Sequence, residues 1–125
     1  MTGIKKGESQ WIYKTHTKAD PGEIYKRIQE YGVLHFLYEP LIIHVKCHTR
    51  ENAERLLTTL QSNGFKKACL VSFKHYLVEI NDTGKMEVPV TKDLSKEYAS
   101  FLVNEANKRL RKTKENIKKL ESIFA

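Results

Sequence analysis

Cysteine is scarce in this chain: 125 residues hold two, Cys47 and Cys69. That number excludes a disulfide framework, and with neither CxxC nor HExxH present no zinc or other metal centre is expected. Both cysteines fall in apolar stretches. With no secretory segment ahead of them, they are expected to be reduced, buried thiols of a cytoplasmic protein. Long hydrophobic runs are also missing. Nothing approaches the roughly 18 consecutive apolar residues of a membrane span, and the opening MTGIKKGESQ lacks the apolar stretch of a signal peptide, so no membrane association is expected. The six glycines are isolated. Neither G-x-G-x-x-G nor a P-loop can be drawn through them, which excludes a Rossmann-type nucleotide site. No serine–histidine–aspartate order stands out.

Negative charge is the remaining deficit: 15 Asp and Glu against 22 Lys and Arg leave a net charge of +7. Such a field favours a polyanionic partner, nucleic acid first, although lysines that merely keep a protein soluble give the same count. With 40% hydrophobic and 30% charged residues, the composition is that of a folded chain, and the length fits one domain spanning 1–125.

The periodicities predict an α+β fold. Gln10 to Lys14 reads as a short aromatic strand. Asp20-Pro21-Gly22-Glu23 opens a helix with an aspartate N-cap, a proline at the first helical position and a glutamate three residues after the cap. Ile24, Ile28 and Tyr31 supply its apolar stripe, and Gly32 stops it. Thr49 caps a second helix, with Ala53, Leu56, Leu57 and Leu60 inward and Asn63-Gly64 at its end. Residues 68–73 and 76–81 alternate as strands. Asn81-Asp82-Thr83-Gly84 reads as a tight turn into a third strand of that group, Lys85 to Val90. The order up to Phe73 is β-α-β-β-α-β, a split βαβ core. Two more strands and a long C-terminal helix follow, which predicts a mainly antiparallel sheet with helices on one face. That last helix, from about Ser95 to near Phe124, carries Ala99, Leu102, Val103, Ala106, Leu110, Thr113, Ile117, Leu120 and Phe124 at helical spacing. Lys108, Arg109, Arg111 and Lys112 begin a cationic stretch in its second half. This is either a solvated charged face or an RNA-backbone contact, and an exposed stripe of the same helix would suit a homodimer.

The densest segment is LHFLYEPLIIHVKCH, Leu34 to His48. It reads as two strands hinged at Pro40, which has no amide to donate to a ladder. Leu34, Phe36 and Tyr38 share one face of the first strand. In the second, Leu41, Ile43, Val45 and Cys47 point one way and Ile42, His44, Lys46 and His48 the other. The second strand therefore offers a dry face for a core and a titratable one for a site. Taken alone, His44 is either a sheet histidine with its hydrogen bonds satisfied or a catalytic one, and Glu39 beside the hinge either fixes a ligand or caps backbone amides. Trp11 and Tyr13, among lysines, either stack on bases or fill a core.

In order and spacing, WIYKTH (Trp11 to His16), FLYEPLIIHVKC, NAERLLTTLQSNGFKKACL, MEVPV and LVNEANKRL resemble the tRNA wybutosine-synthesizing protein 3 family, and the run from Phe36 to Val45 is the most specific part. The resemblance implies a methyltransferase that uses S-adenosylmethionine without a Rossmann fold. Its substrate would be a ring nitrogen of a wyosine-type guanosine beside the anticodon of phenylalanine tRNA. Among the matching positions, Glu39, His44 and His16 are the expected catalytic residues and Trp11, Phe36, Glu39 and Asn107 the expected cofactor contacts; the cationic stretch of the last helix adds Lys108, Arg109, Arg111 and Lys112 as expected RNA contacts. Pro40, Gly64, Phe65, Lys66, Glu87 and Pro89 also match, Gly64 and Pro89 as backbone formers. Two departures stand out. The family's N-terminal region ends in a Ser-Ser-Cys-Ser-Gly-Arg strand that has no counterpart here; the chain begins roughly where the region after it would. Ala68-Cys69 stands where a Ser-Gly pair is expected. The alternative expectation is a non-catalytic basic tRNA-binding domain, or a shortened relative of the enzyme.

Overall fold

The computed structural model describes residues 1–7 and 10–124. The element order is β1 (Thr2–Lys6), β2 (Gln10–Thr15), α1 (Pro21–Tyr31), β3 (Leu34–Tyr38), β4 (Ile42–Lys46), α2 (Arg50–Ser62), β5 (Cys69–Ser72), β6 (Leu77–Asn81), β7 (Met86–Val90) and α3 (Lys96–Phe124). Every strand pairing is antiparallel, as the α+β expectation requires. The strands form two sheets, however, where one was expected, and the chain sorts into two compact units. Residues 1–40 and 84–112 make the first unit, residues 41–83 and 113–125 the second.

The first unit is a four-stranded sheet in the order β2-β1-β3-β7. β1 was not expected: in Thr2–Lys6 only Ile4 is a large apolar residue, so no alternation marks it. It nonetheless lies inside the sheet, between β2 and β3. Ile4 pairs with Phe36 on β3, which pairs in turn with Val88 on β7. Leu34, Phe36, Tyr38 and Ile4 are fully buried with Ile24 and Ile28 of α1 and with Leu102, Val103, Ala106 and Leu110 of α3. Each of the leucines, isoleucines, the valine and the phenylalanine contributes about 1.5–3 kcal/mol by leaving water. α1 begins as its residues dictate: the Asp20 carboxylate accepts from the Gly22 amide at 3.0 Å, and Gly32, at φ 85°, ends it. Tyr31 is exposed instead of continuing the stripe. A bulge between Ile4 and Lys5 sets Ile4 opposite Tyr13 and Lys5 opposite Trp11, leaving Ile12 as the extra residue; both Ile12 and Tyr13 pack on the core.

The second unit is a three-stranded sheet, β4-β6-β5, with α2 and the end of α3. Ala53, Leu60, Phe65, Ala68, Val78, Ile80 and Leu120 are its buried core, flanked by half-buried Leu41, Ile43, Val45 and Cys47. Thr49 caps α2 by accepting from the Asn52 amide at 3.1 Å. One carboxylate organises the α3 end. Asp82 accepts from the Thr113 hydroxyl and the Asn116 amide, both at 2.8 Å, while its own amide donates to the Leu41 carbonyl at 3.0 Å.

Two expectations are corrected here. β7 is not a third strand beside β5 and β6; it pairs with β3 in the first unit, so the turn at 81–84 connects two sheets and closes no hairpin. Local alternation shows that a strand exists but not which edge it joins. Cys69 is exposed, because it takes an outward position on β5, and Cys47 lies half-buried just beyond β4.

Candidate functional site

In the second unit, Ile42, His44 and Lys46 of β4 are exposed on the sheet face opposite the core, as their alternation predicts. The register sets His44 opposite Glu79 of β6 and Ile42 opposite Asn81, with Cys69 of β5 on the far side of Glu79. His44 Nε2 lies 2.9 Å from Glu79 Oε2, and Asn81 Nδ2 donates to Glu79 Oε1 at 2.5 Å. Both carboxylate oxygens are therefore engaged. The Asn81 bond first, and the His44 bond second, hold the Glu79 carboxyl below its ordinary 4.5. An ionised carboxylate only accepts, so Nε2 must carry the ring proton and the neutral imidazole keeps its lone pair on Nδ1. The His44 side chain is 50% exposed, enough to meet a ligand.

In the first unit, Gly3, Lys5, His35 and Leu37 occupy the sheet face opposite Phe36 and Tyr38, since side chains directly across a ladder share a face. Trp11 lies across this face over Gly3, where a Cβ would sit 2.5 Å from the indole Cζ3. The Lys5 ammonium stands 4.8 Å from the indole ring centroid. This cation–π contact is worth about 0.5–1 kcal/mol at an exposed site. Before a base could take the same place on the indole, Lys5 would have to swing aside. The buried His35 Nδ1 has no hydrogen-bond partner among the described residues.

The other residues singled out in the sequence divide sharply. Phe36 is fully buried in the first core and has no face for a purine or adenine to stack on, so the cofactor expectation fails for it. It fails for Asn107 as well, whose amide is spent on backbone: Nδ2 donates to the Ala19 carbonyl at 3.0 Å and Oδ1 accepts from the Ala19 amide at 2.8 Å. Trp11 and Glu39 are half-buried and keep surface for a ligand. Glu39 follows β3, its amide bonded to the Met1 carbonyl at 2.8 Å. His16 is exposed just past β2. His16 and Glu39 belong to the first unit and His44 to the second. On α3, Lys108, Arg111 and Lys112 are exposed, whereas Arg109 is half-buried and turned to internal work, donating to the Gly84 carbonyl at 2.7 Å and to Glu105 at 3.3 Å.

Sequence reasoning missed Glu79, Asn81 and Lys5. The alternation of β6 places Glu79 and Asn81 on its polar face, but only the register reveals His44 as their neighbour. Among the described residues, no three His, Cys, Asp or Glu side chains are grouped to hold a metal ion. No described helix is long and apolar enough to cross a membrane.

Comparison with known proteins adds an independent line. A family model described as Methyltransferase TYW3 matches residues 1–125. A tRNA wybutosine-synthesizing protein 3 homolog of Xenopus laevis is 29% identical over 95% of this chain and 50% of its own length. The tRNA(Phe) 7-((3-amino-3-carboxypropyl)-4-demethylwyosine(37)-N(4))-methyltransferase of Thermococcus sibiricus is 34% identical over 89% of this chain and 60% of its own. The solved PH1069 protein from Pyrococcus horikoshii superposes with a TM-score of 0.87 at 29% identity, covering 99% of this chain and 72% of that one. The chain thus spans 50% and 60% of the length of these two curated relatives.

Proposed function

Because this chain belongs to the Methyltransferase TYW3 family, we propose that it serves in methylating a ring nitrogen of a wyosine-type guanosine in phenylalanine tRNA, a step of wybutosine synthesis, with S-adenosylmethionine as donor. The observation that carries this reading is the family match across residues 1–125. It accords with the net charge of +7, since tRNA is a polyanion; a cytoplasmic location beside that substrate is part of the same proposal.

The donor supplies a methyl group on a sulfonium, already a strong electrophile, so little acid–base work falls to the protein. Of the four residues expected around the donor, Trp11 and Glu39 fit, the indole for the adenine and the carboxylate for an amine or ribose hydroxyl. Holding the reacting atoms in line is the larger contribution. The chain must also take one proton from the substrate nitrogen. His44, with Nε2–H directed to Glu79 and Nδ1 left as the acceptor atom of the unprotonated ring, is suited to that. Lys108, Arg111 and Lys112 hold RNA phosphates.

Radiolabelled S-adenosylmethionine and phenylalanine tRNA carrying the wyosine precursor test the reading. Label incorporated into the tRNA supports it. No label despite tight binding of the tRNA rejects methyl transfer in favour of the second reading, a basic tRNA-binding module, which the exposed cations of α3 favour.

A further inference from the structure

The carboxylate of Glu79 has no part in the family resemblance, yet it pairs with His44 at 2.9 Å. Its two oxygens face two different donors across one rung and the next of the β4–β6 ladder: His44 lies directly opposite Glu79, and Asn81, two residues along β6, lies opposite Ile42. Backbone pairing on both strands thereby fixes the spacing of the three groups. Asn81 is itself half-buried and holds Oε1, so Glu79 is left to present Oε2 to the imidazole. Lys46 is the other charged group of β4 on this face, and Cys69 flanks Glu79 on β5.

We propose that Glu79, oriented by Asn81, is a positioning residue that locks His44 as the Nε2–H tautomer, making Nδ1 the atom that takes the proton of the substrate nitrogen. This rests on the reading of His44 given above and adds to it which atom acts and what holds it. A rotatable imidazole with either nitrogen protonated spends part of its time in an unproductive form. A carboxylate that only accepts removes that freedom. The cross-strand site also explains why β4 and β6 must keep register: a shift of one residue would turn Glu79 to the core face and free the ring.

Three substitutions, two of them also combined, and two measurements test it. Glu79→Ala is expected to lower kcat by about tenfold or more, a fraction of what a general base supplies, with KM for tRNA unchanged. Glu79→Gln, whose amide donates as well as accepts, no longer fixes the tautomer and is expected to recover only a small part of the loss. In a His44→Asn background, Glu79→Ala lowers kcat no further. Independently of turnover, long-range proton–nitrogen spectra of the protein at pH 8 read Nε2–H alone at His44, and a mixture of tautomers once Glu79 is alanine.

A kcat unchanged by Glu79→Ala in an active protein overturns the proposal. So does a further loss in the His44→Asn background, or a tautomer mixture already present with Glu79 in place. Absence of any methyl transfer by the unaltered protein, with the single tautomer still seen, overturns both the reading of His44 as a base and the use proposed for Glu79.

Discussion

The amide of Asn107 on α3 matches the backbone of Ala19 atom for atom, accepting from its N–H at 2.8 Å and donating to its carbonyl at 3.0 Å. Both residues are buried, so the pairing pins the segment leading into α1 to the helix without leaving a polar group dry.

Asn107→Ala therefore leaves an amide and a carbonyl of Ala19 unpaired in the interior. The expected loss is about 2–3 kcal/mol, the cost of stranding buried polar groups. Urea unfolding measures it, and a change under 0.5 kcal/mol would contradict the assignment of Asn107 to structure.

Gly3 has no room for a side chain, since a Cβ would meet the Trp11 ring at 2.5 Å and the Tyr13 carbonyl at 2.7 Å. Gly3→Ala should displace the indole and cost about 1–3 kcal/mol, as overpacking does. Trp11 is the only tryptophan, so its fluorescence reports on this place alone. The emission is expected to move to longer wavelength.

Two neighbouring arginines should part company. Arg109 is bonded to Gly84 and Glu105, and Arg109→Ala is expected to lower stability by about 1–2 kcal/mol. Exposed Arg111 should change stability by less than about 0.5 kcal/mol when replaced by alanine. Arg111→Ala should reduce the salt slope of tRNA binding by about one unit. Filter binding over a salt series, beside thermal melts, separates the two.

Acid should weaken the protein partly through Glu79. Its folded value lies below the ordinary 4.5, so its contribution is present above that value and is lost as pH falls through the lowered one. Glu79→Gln has no such charge to lose. Its stability should decline less than that of the unaltered protein between about pH 5 and 3, relative to each protein's own value at pH 7. Parallel curves would contradict the linkage.

Much of this architecture was legible in advance, and what was not has a physical cause. Caps and stops such as Asp20, Thr49 and Gly32 act on backbone groups within a few residues and can be read locally. The two-faced character of β4 followed from alternation for the same reason. Pairing partners did not: β7 alternates like β5 and β6 yet joins β3, and β1 joins the sheet with one apolar anchor. Phe36 and Asn107 show the corresponding error in reading sites, since residues that match a family pattern can serve the interior. His44 and Glu79, 35 positions apart, become neighbours only through register.

Threading the chain through both units limits how it can be dissected. A gene stopped at Thr83 would deprive Asp82 of Thr113 and Asn116, and its core of Leu120. One stopped at Pro40 would strand β3 beside a missing β7. Simple truncation is thus a poor tool for isolating either half; a rearranged gene that rejoins 1–40 to 84–112 across a short linker respects the order in which the first sheet is assembled.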